Sequence, residues 1–205
     1  MNVALTAPPW SLATTELDSF GVEPILLPGV RYAGDGQRLL ASGLVRRVLA
    51  DVVVAADVAD SRDVRAAAIA LMAAELAGGE GWAVAYRSAG WLHTGWSPER
   101  RPPDLVELIV PPGRRRRIAG VRTRQVAIPA DDIVHIGGVP VTTPTRTAAD
   151  IARDLPEPEA LTALHRLRQV TGIQPREVLA RLSGMPSGRG VAHAKRLVRQ
   201  WAAGG

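Results

Sequence analysis

Gly138-Val139-Pro140-Val141-Thr142-Thr143-Pro144-Thr145-Arg146-Thr147-Ala148-Ala149-Asp150 is the stretch in which the chain changes character. Up to Val141, the run from Ile133 is apolar and β-branched, which suits an extended segment. Thr143 followed by Pro144 is then a cap and first-turn pair. A threonine oxygen can accept an orphan backbone N–H, and proline has no N–H to leave unsatisfied. A helix is expected from there to about Asp154. The stretch therefore joins sheet to helix, and the fold class follows from what lies on either side of it.

Beyond it, Pro158 opens a second helix with Leu161, Leu164 and Val170 on its core side and Gly172 past its end. Pro175 opens a third, closing near Gly184. Ser187 or Gly188 starts the last, in which Val191, Ala194, Leu197, Val198 and Trp201 recur at helical spacing. The C-terminal third reads as a helical bundle.

In the other direction, Val121 to Ile128 reads as extended and Leu105 to Val110 as a strand ended by the Pro111-Pro112-Gly113 turn. Ala83 to His93, bearing Trp91 and Leu92, is expected to be helical. Ser61 is positioned to cap a helix to Ala77, with Val64, Ala68 and Leu71 on one stripe and Gly78-Gly79 as its stop. Leu44 to Leu49 and Val52 to Ala56, parted by Ala50-Asp51, read as a β-hairpin preceded by a short helix over 37–42 that Gly43 ends. Residues 1–36 carry Pro8, Pro9, Pro24, Pro28, Gly21, Gly29, Gly34 and Gly36, leaving room for only short helices. The class is α+β, with an irregular region over residues 1–60 and, over 61–205, a small mixed sheet packed with a C-terminal helical bundle.

With 205 residues, 46% of them apolar, the chain can bury one good core or two small ones. The formal net charge of +5 and a sequence pI near 10.8 favour anionic partners, nucleic acid or an acidic protein face, with a salt-dependent attraction. There is no cysteine, which excludes disulfides and thiolate metal sites and suits the reducing cytoplasm. Met1 to Leu12 reads as neither a signal peptide nor an anchor. No stretch reaches the roughly 18 apolar residues of a membrane span, so no membrane partner is expected. Lys195 is the only lysine among 25 basic residues, so the arginine count reflects codon bias before it reflects site chemistry.

The histidines His93, His135, His165 and His193 lack any short ligand spacing, and no metal site is expected. Ser88 and His93 lie five apart on one helix, on different faces, which argues against a nucleophile and its base. A nuclease centre built on Asp104 and Glu107 would need an adjacent lysine, and Glu107 is followed by Leu108 and Ile109. No residue is given a catalytic role. Arg114, Arg115, Arg116 and Arg117 stand just past the Pro111-Pro112-Gly113 turn, and Arg122 with Arg124 share one face of an extended segment. These six are the candidate contacts to a phosphate backbone or an acidic protein, weighed against a solvated edge kept from aggregating by its charge. Gly188 and Gly190 precede the last helix, with Lys195 nearby; they are candidate phosphate-binding residues, weighed against an ordinary helix-entry loop.

Tyr86-Arg87-Ser88-Ala89-Gly90-Trp91-Leu92-His93, then Val106-Glu107-Leu108-Ile109-Val110-Pro111-Pro112-Gly113 with its arginines, then Gly138 to Asp150 together resemble the AbiEi-type antitoxins of actinobacteria. The resemblance spans roughly residues 62–200 and is strongest to the mycobacterial type encoded beside nucleotidyltransferase toxins. It implies an N-terminal winged helix-turn-helix for operator DNA, here degenerate because of its prolines and glycines, and an antitoxin domain over 61–205. It implies two partners, the cognate nucleotidyltransferase toxin and promoter DNA of the protein's own operon. The 37–43 helix and the hairpin then look like the last helix and wing of such a domain. Arg38, Arg46 and Arg47 would be available for phosphates, although the wing tip Ala50-Asp51 is not basic.

A second hypothesis makes the protein an atypical serine kinase that inactivates the toxin by phosphorylation, drawing on Gly188, Gly190 and Lys195 and on Asp131, Asp132 or Asp150 for magnesium. ATP and magnesium enter only there; otherwise no cofactor is expected. A third is a repressor with no toxin partner. Oligomeric state is not fixed by these residues.

Overall fold

The structure, a computed structural model, describes residues 25–26, 38–49, 52–73, 81–95, 105–113, 120–186, 188 and 190–204. The irregular run over residues 1–36, apart from 25–26, and the arginines 114–117 lie outside them. After a helical turn over 38–41, β2 (Val45–Leu49) and β3 (Val52–Ala55) form the expected antiparallel hairpin, with a register shift between Arg47 and Leu49. β1 (Ile25–Leu26) adds to β3 on its other side, giving a three-stranded sheet in the order β1-β3-β2. Valines make this hairpin because a branched Cβ suits a pleated, half-buried surface.

α1 (Arg62–Ala73) begins at Ser61, whose Oγ accepts from Val64 N at 3.2 Å, so the serine caps the helix as expected. The chain then departs from the sequence reading. Instead of one helix over 83–93, Ala83–Val84 is a strand, β4, and the helix is α2 (Tyr86–Thr94). β4 is held on both sides, antiparallel to β5 (Val106–Val110) and parallel to β8 (Val139–Thr142). Two buried apolar residues fit either structure by pattern alone, and here the partners on both flanks decide.

β6 (Val121–Gln125) runs parallel to β5 and ends three residues short of the expected Ile128. A 3₁₀ turn, Ala130–Asp132, leads to β7 (Ile133–Ile136). The single extended segment expected from Ile133 to Val141 is a hairpin, β7 antiparallel to β8, with Gly137 and Gly138 both at positive φ, 56° and 81°. Two glycines in that region are what a two-residue hairpin turn needs. The five strands lie in the order β6-β5-β4-β8-β7, a mixed sheet.

Four helices follow as expected. α3 (Pro144–Asp154) is capped by Thr143 Oγ1, which accepts from Arg146 N at 3.2 Å. α4 (Glu157–Thr171) stops at Gly172, left-handed at φ 76°. α5 (Pro175–Ser183) is closed at its start by Glu177 Oε2 accepting from Gln174 N at 2.7 Å. α6 (Val191–Ala203) begins at Gly190. The α+β class therefore stands.

Two large apolar clusters organise these elements, beside a small one of Ala85, Tyr86 and Ile109. One joins Val48, Leu49, Val52 and Val54 of the hairpin to α1, Trp91 and Leu92 of α2, and the inward residues of β5 and β8. The other is the bundle interior, built by Ala148, Ile151, Leu164, Leu167, Leu182, Leu197 and Trp201. Trp201 is 1% exposed, and its indole N–H finds no acceptor among the described residues. Its contribution is therefore apolar packing. Trp201→Ala is expected to cost about 3–5 kcal/mol, and Trp201→Phe much less, because no hydrogen bond is lost. Urea unfolding followed by circular dichroism checks both.

Candidate functional site

Charged side chains gather where the five-stranded sheet meets the bundle. The chain leaves β4 and enters α2 at Tyr86, which has φ 53°, a conformation unfavourable for a bulky residue. Such strain persists only where the surroundings hold it. They do so here. Tyr86 is buried, and the Arg124 guanidinium lies 4.3 Å from the centre of its ring. Arg124 Nη2 also donates to Asp154 Oδ1 at the end of α3, so one β6 side chain ties the sheet edge to the bundle. Burial above all, with the Asp150 charge second, pushes the Tyr86 hydroxyl up to about 12.

Glu107 on β5 faces the start of α2. Its Oε2 accepts from Arg87 N at 2.9 Å and from Arg87 Nε at 3.4 Å, and its Oε1 is 3.5 Å from Arg122 Nη1. A carboxylate at a helix N-terminus meets both an orphan amide and the positive end of the helix dipole. Ser88 Oγ completes the joint by accepting from Glu107 N at 2.9 Å. Glu107, 1% exposed, is thus an internal counter-ion.

The second group centres on Arg146 of α3, 3% exposed. Its Nη1 donates to Asp132 Oδ2 at 2.7 Å and its Nε to Asp150 Oδ2 at 2.8 Å. Arg181 of α5 grips Asp132 with two nitrogens, Nε to Oδ1 at 2.7 Å and Nη2 to Oδ2. Arg153 Nη1 stands 3.8 Å from Asp150 Oδ1. Burial raises the Asp132 carboxyl, but the hydrogen bonds from Arg181 and Arg146 outweigh it and leave the group below its ordinary value. Asp150, deeper, is held above its ordinary value by burial, against the attraction of Arg146. Beside this group, Thr142 O accepts from His93 Nε2 at 2.8 Å and from Thr147 Oγ1 at 3.1 Å. Burial lowers His93 below its usual value.

Of the residues singled out in the sequence, the structure brings Arg122 and Arg124 into this junction, where both contact carboxylates. Arg146, Glu107, Tyr86, Arg87, Asp154 and Arg181 were not singled out as site residues. Two signals could have found Glu107 and Arg146, a glutamate inside the apolar run Val106 to Val110 and an arginine four residues before an aspartate on one helix; Tyr86, Arg87, Asp154 and Arg181 carry none. Asp132 and Asp150, the buried carboxylates suggested for magnesium, both accept from Arg146, while Asp131 is exposed. Arg46 donates to Val58 O from two nitrogens, at 3.0 and 2.8 Å, holding the hairpin to the turn after it, whereas Arg38 and Arg47 are exposed. Gly190 has φ 84°, and a Cβ there would sit 3.0 Å from Arg153 O, so backbone approach dictates this glycine. Gly188 precedes it, and Lys195 is half-buried on α6.

Six arginines (87, 122, 124, 146, 153 and 181) face four carboxylates (107, 132, 150 and 154) in these contacts, leaving the junction net positive. A nearby cavity between Arg87, Gly90, Thr94, Ile151, Leu155, Ala163 and Leu167 is only about 10 Å³, the size of a single water. Among the described residues no group of three or more histidines and carboxylates could hold a metal ion. Nor is any helix among them long and apolar enough to cross a membrane.

The family model of the AbiEi antitoxin C-terminal domain matches residues 82–199. These run from the residue before β4 to the last turns of α6, and they contain the whole junction. No curated protein matches the chain.

Removing Arg146 would leave buried Asp150 with only Arg153 at 3.8 Å and take from Asp132 one of its two arginines. Arg146→Met is expected to cost about 3–5 kcal/mol in urea unfolding at pH 7. A carboxyl held low in the folded state stabilises above its unfolded value and loses that contribution as pH falls through the folded value. The deficit of Asp132→Asn relative to wild type should therefore be constant from about pH 5 to pH 7 and close below about pH 4. Unfolding curves across that range test the sign.

Proposed function

The chain belongs to the AbiEi antitoxin family and acts as the antitoxin of a toxin–antitoxin system, and we propose that it neutralises a nucleotidyltransferase toxin by binding it and represses its own operon by binding promoter DNA. The observation that carries the reading is the extent of the family match, which covers the sheet, the bundle and the charged junction as one unit. That unit presents a net positive junction, and the chain as a whole carries +5. Both suit an acidic or phosphate-bearing macromolecule.

The operator reading rests on the N-terminal hairpin. β2 and β3 form a wing-like ribbon, Arg38 and Arg47 are exposed beside it, and Arg46 braces it through Val58 O. Backbone contacts of this kind position a protein on DNA, while base readout would fall to the residues before 38. Arg114 to Arg117, which follow the Pro111-Pro112-Gly113 turn in sequence, are proposed to add charge toward either partner. Both activities belong in the cytoplasm, where a cysteine-free chain is at home.

Co-expression with the neighbouring toxin is expected to restore growth that the toxin alone arrests; arrest persisting in the presence of folded antitoxin defeats the reading. A gel shift on the protein's own promoter, at physiological salt with nonspecific competitor, is expected to give a specific band that weakens for Arg38→Glu combined with Arg47→Glu.

A further inference from the structure

β6 forms one margin of the five-stranded sheet, and its backbone faces two ways. Val106 N donates to Gly120 O at 2.8 Å and Val126 N to Val110 O at 3.1 Å, so Gly120 and Val126 turn their main-chain groups toward β5. The register Val106↔Val121 through Val110↔Gln125 is unbroken. With a period of two, Arg122 and Arg124 share that inward orientation. Val121, Thr123 and Gln125 must then point their N–H and C=O groups outward. Among the described residues no strand or side chain meets them.

Such an edge is a template for one more strand. Charge narrows what that strand is. Between Leu108 and Ala130 the sequence holds six arginines and no carboxylate. A second copy pairing antiparallel about Thr123 would set Arg122 directly across from Arg124 of its mate, and like charges in that position destabilise a sheet. The Arg122 side chain is half exposed and shares Glu107 with Arg87, so an incoming carboxylate can still be accommodated beside it.

We propose that the outer edge of β6 captures an extended acidic segment of the cognate toxin by strand addition, through the outward amides and carbonyls of Val121, Thr123 and Gln125, with Arg122 selecting the acidic side chain. This rests on the antitoxin binding its toxin, and it adds where and how. The edge gives affinity through main-chain hydrogen bonds, which any sequence can make. The arginine supplies the preference.

Thr123→Pro tests it with little insult to the fold, because the lost N–H is an outward one and prolines are accepted on edge strands. In full-length protein with full-length toxin, Thr123→Pro is expected to weaken binding by about tenfold or more at unchanged melting temperature. Arg122→Glu should weaken binding most at low salt. In amide exchange by NMR on the wild-type chain, Arg122, Arg124 and Val126 should be protected before toxin is added, and Val121, Thr123 and Gln125 only afterwards. Should Thr123→Pro lower the melting temperature, that exchange pattern decides. Undiminished toxin binding by a folded Thr123→Pro, or no new protection at the three outward amides, overturns the proposal and leaves the antitoxin reading intact. Wild-type protein that fails to bind toxin at all overturns both. Self-association abolished by Thr123→Pro would assign the edge to a second copy and also overturn it.

Discussion

Arg146 is the constraint on which the rest of this structure depends. A guanidinium so far from water is tolerated only when its donors are met, and Asp132 and Asp150 meet them from opposite directions. Asp150 belongs to the same helix as Arg146, so that pair organises α3 itself. Asp132 belongs to the turn before β7, so the second contact fixes the sheet against the helix. Arg181 reaches the same Asp132 from α5 and draws in the far side of the bundle. One arginine and one aspartate thereby coordinate three elements distant in sequence. Apolar packing alone would let these elements slide, since hydrophobic contact has no direction. Charged hydrogen bonds do have one.

A second joint works at the other end of α3. Tyr86 accepts an unfavourable backbone angle so that the chain can turn from β4 into α2 without a loop, and Arg124 over its ring, anchored by Asp154, holds it there. Glu107 accepts from the Arg87 amide in the first turn of α2, in place of a capping side chain on the helix itself. The two joints are of the same kind. In each, a carboxylate on or beside a strand meets a helix or its arginine, and the interior cost of charge is offset by making it directional.

The sequence shows most of the bundle and less of the sheet, for physical reasons. Helices α3 to α6 announce themselves through local chemistry: Thr143 before Pro144, Gly172 past an apolar stripe, Pro175, and the spacing from Val191 to Trp201. Each signal lies within one turn of the element it marks. β4 gave no such signal, because two apolar residues become a strand only through β5 and β8, which lie far away in sequence. The β7–β8 hairpin had a local signal in Gly137-Gly138, overridden by the continuity of apolar residues around it. The junction was half legible. Arginines in Val121 to Gln125 could be singled out by count, but their carboxylate partners come from β5 and α3, and pairing across elements cannot be read from spacing. The family resemblance supplied the unit as a whole, and the family match confirms it over residues 82–199.

What the charged interior leaves over shapes how the protein can meet a partner. Arg146, Arg181 and Arg124 are already paired with Asp132, Asp150 and Asp154, and a guanidinium so engaged would break its pair in order to grasp something new. Groups that stay open to solvent are better placed to meet a partner. These include half-exposed Arg122, the outward main chain of β6, and exposed Arg196 and Arg199 on α6, a helix with no carboxylate of its own. Such groups are poor at enclosing a small molecule. They are well suited to a broad macromolecular surface, where modest contacts add up and charge steers the approach. A rigid junction in which six arginines meet four carboxylates therefore carries an excess of positive charge that a broad acidic surface can meet.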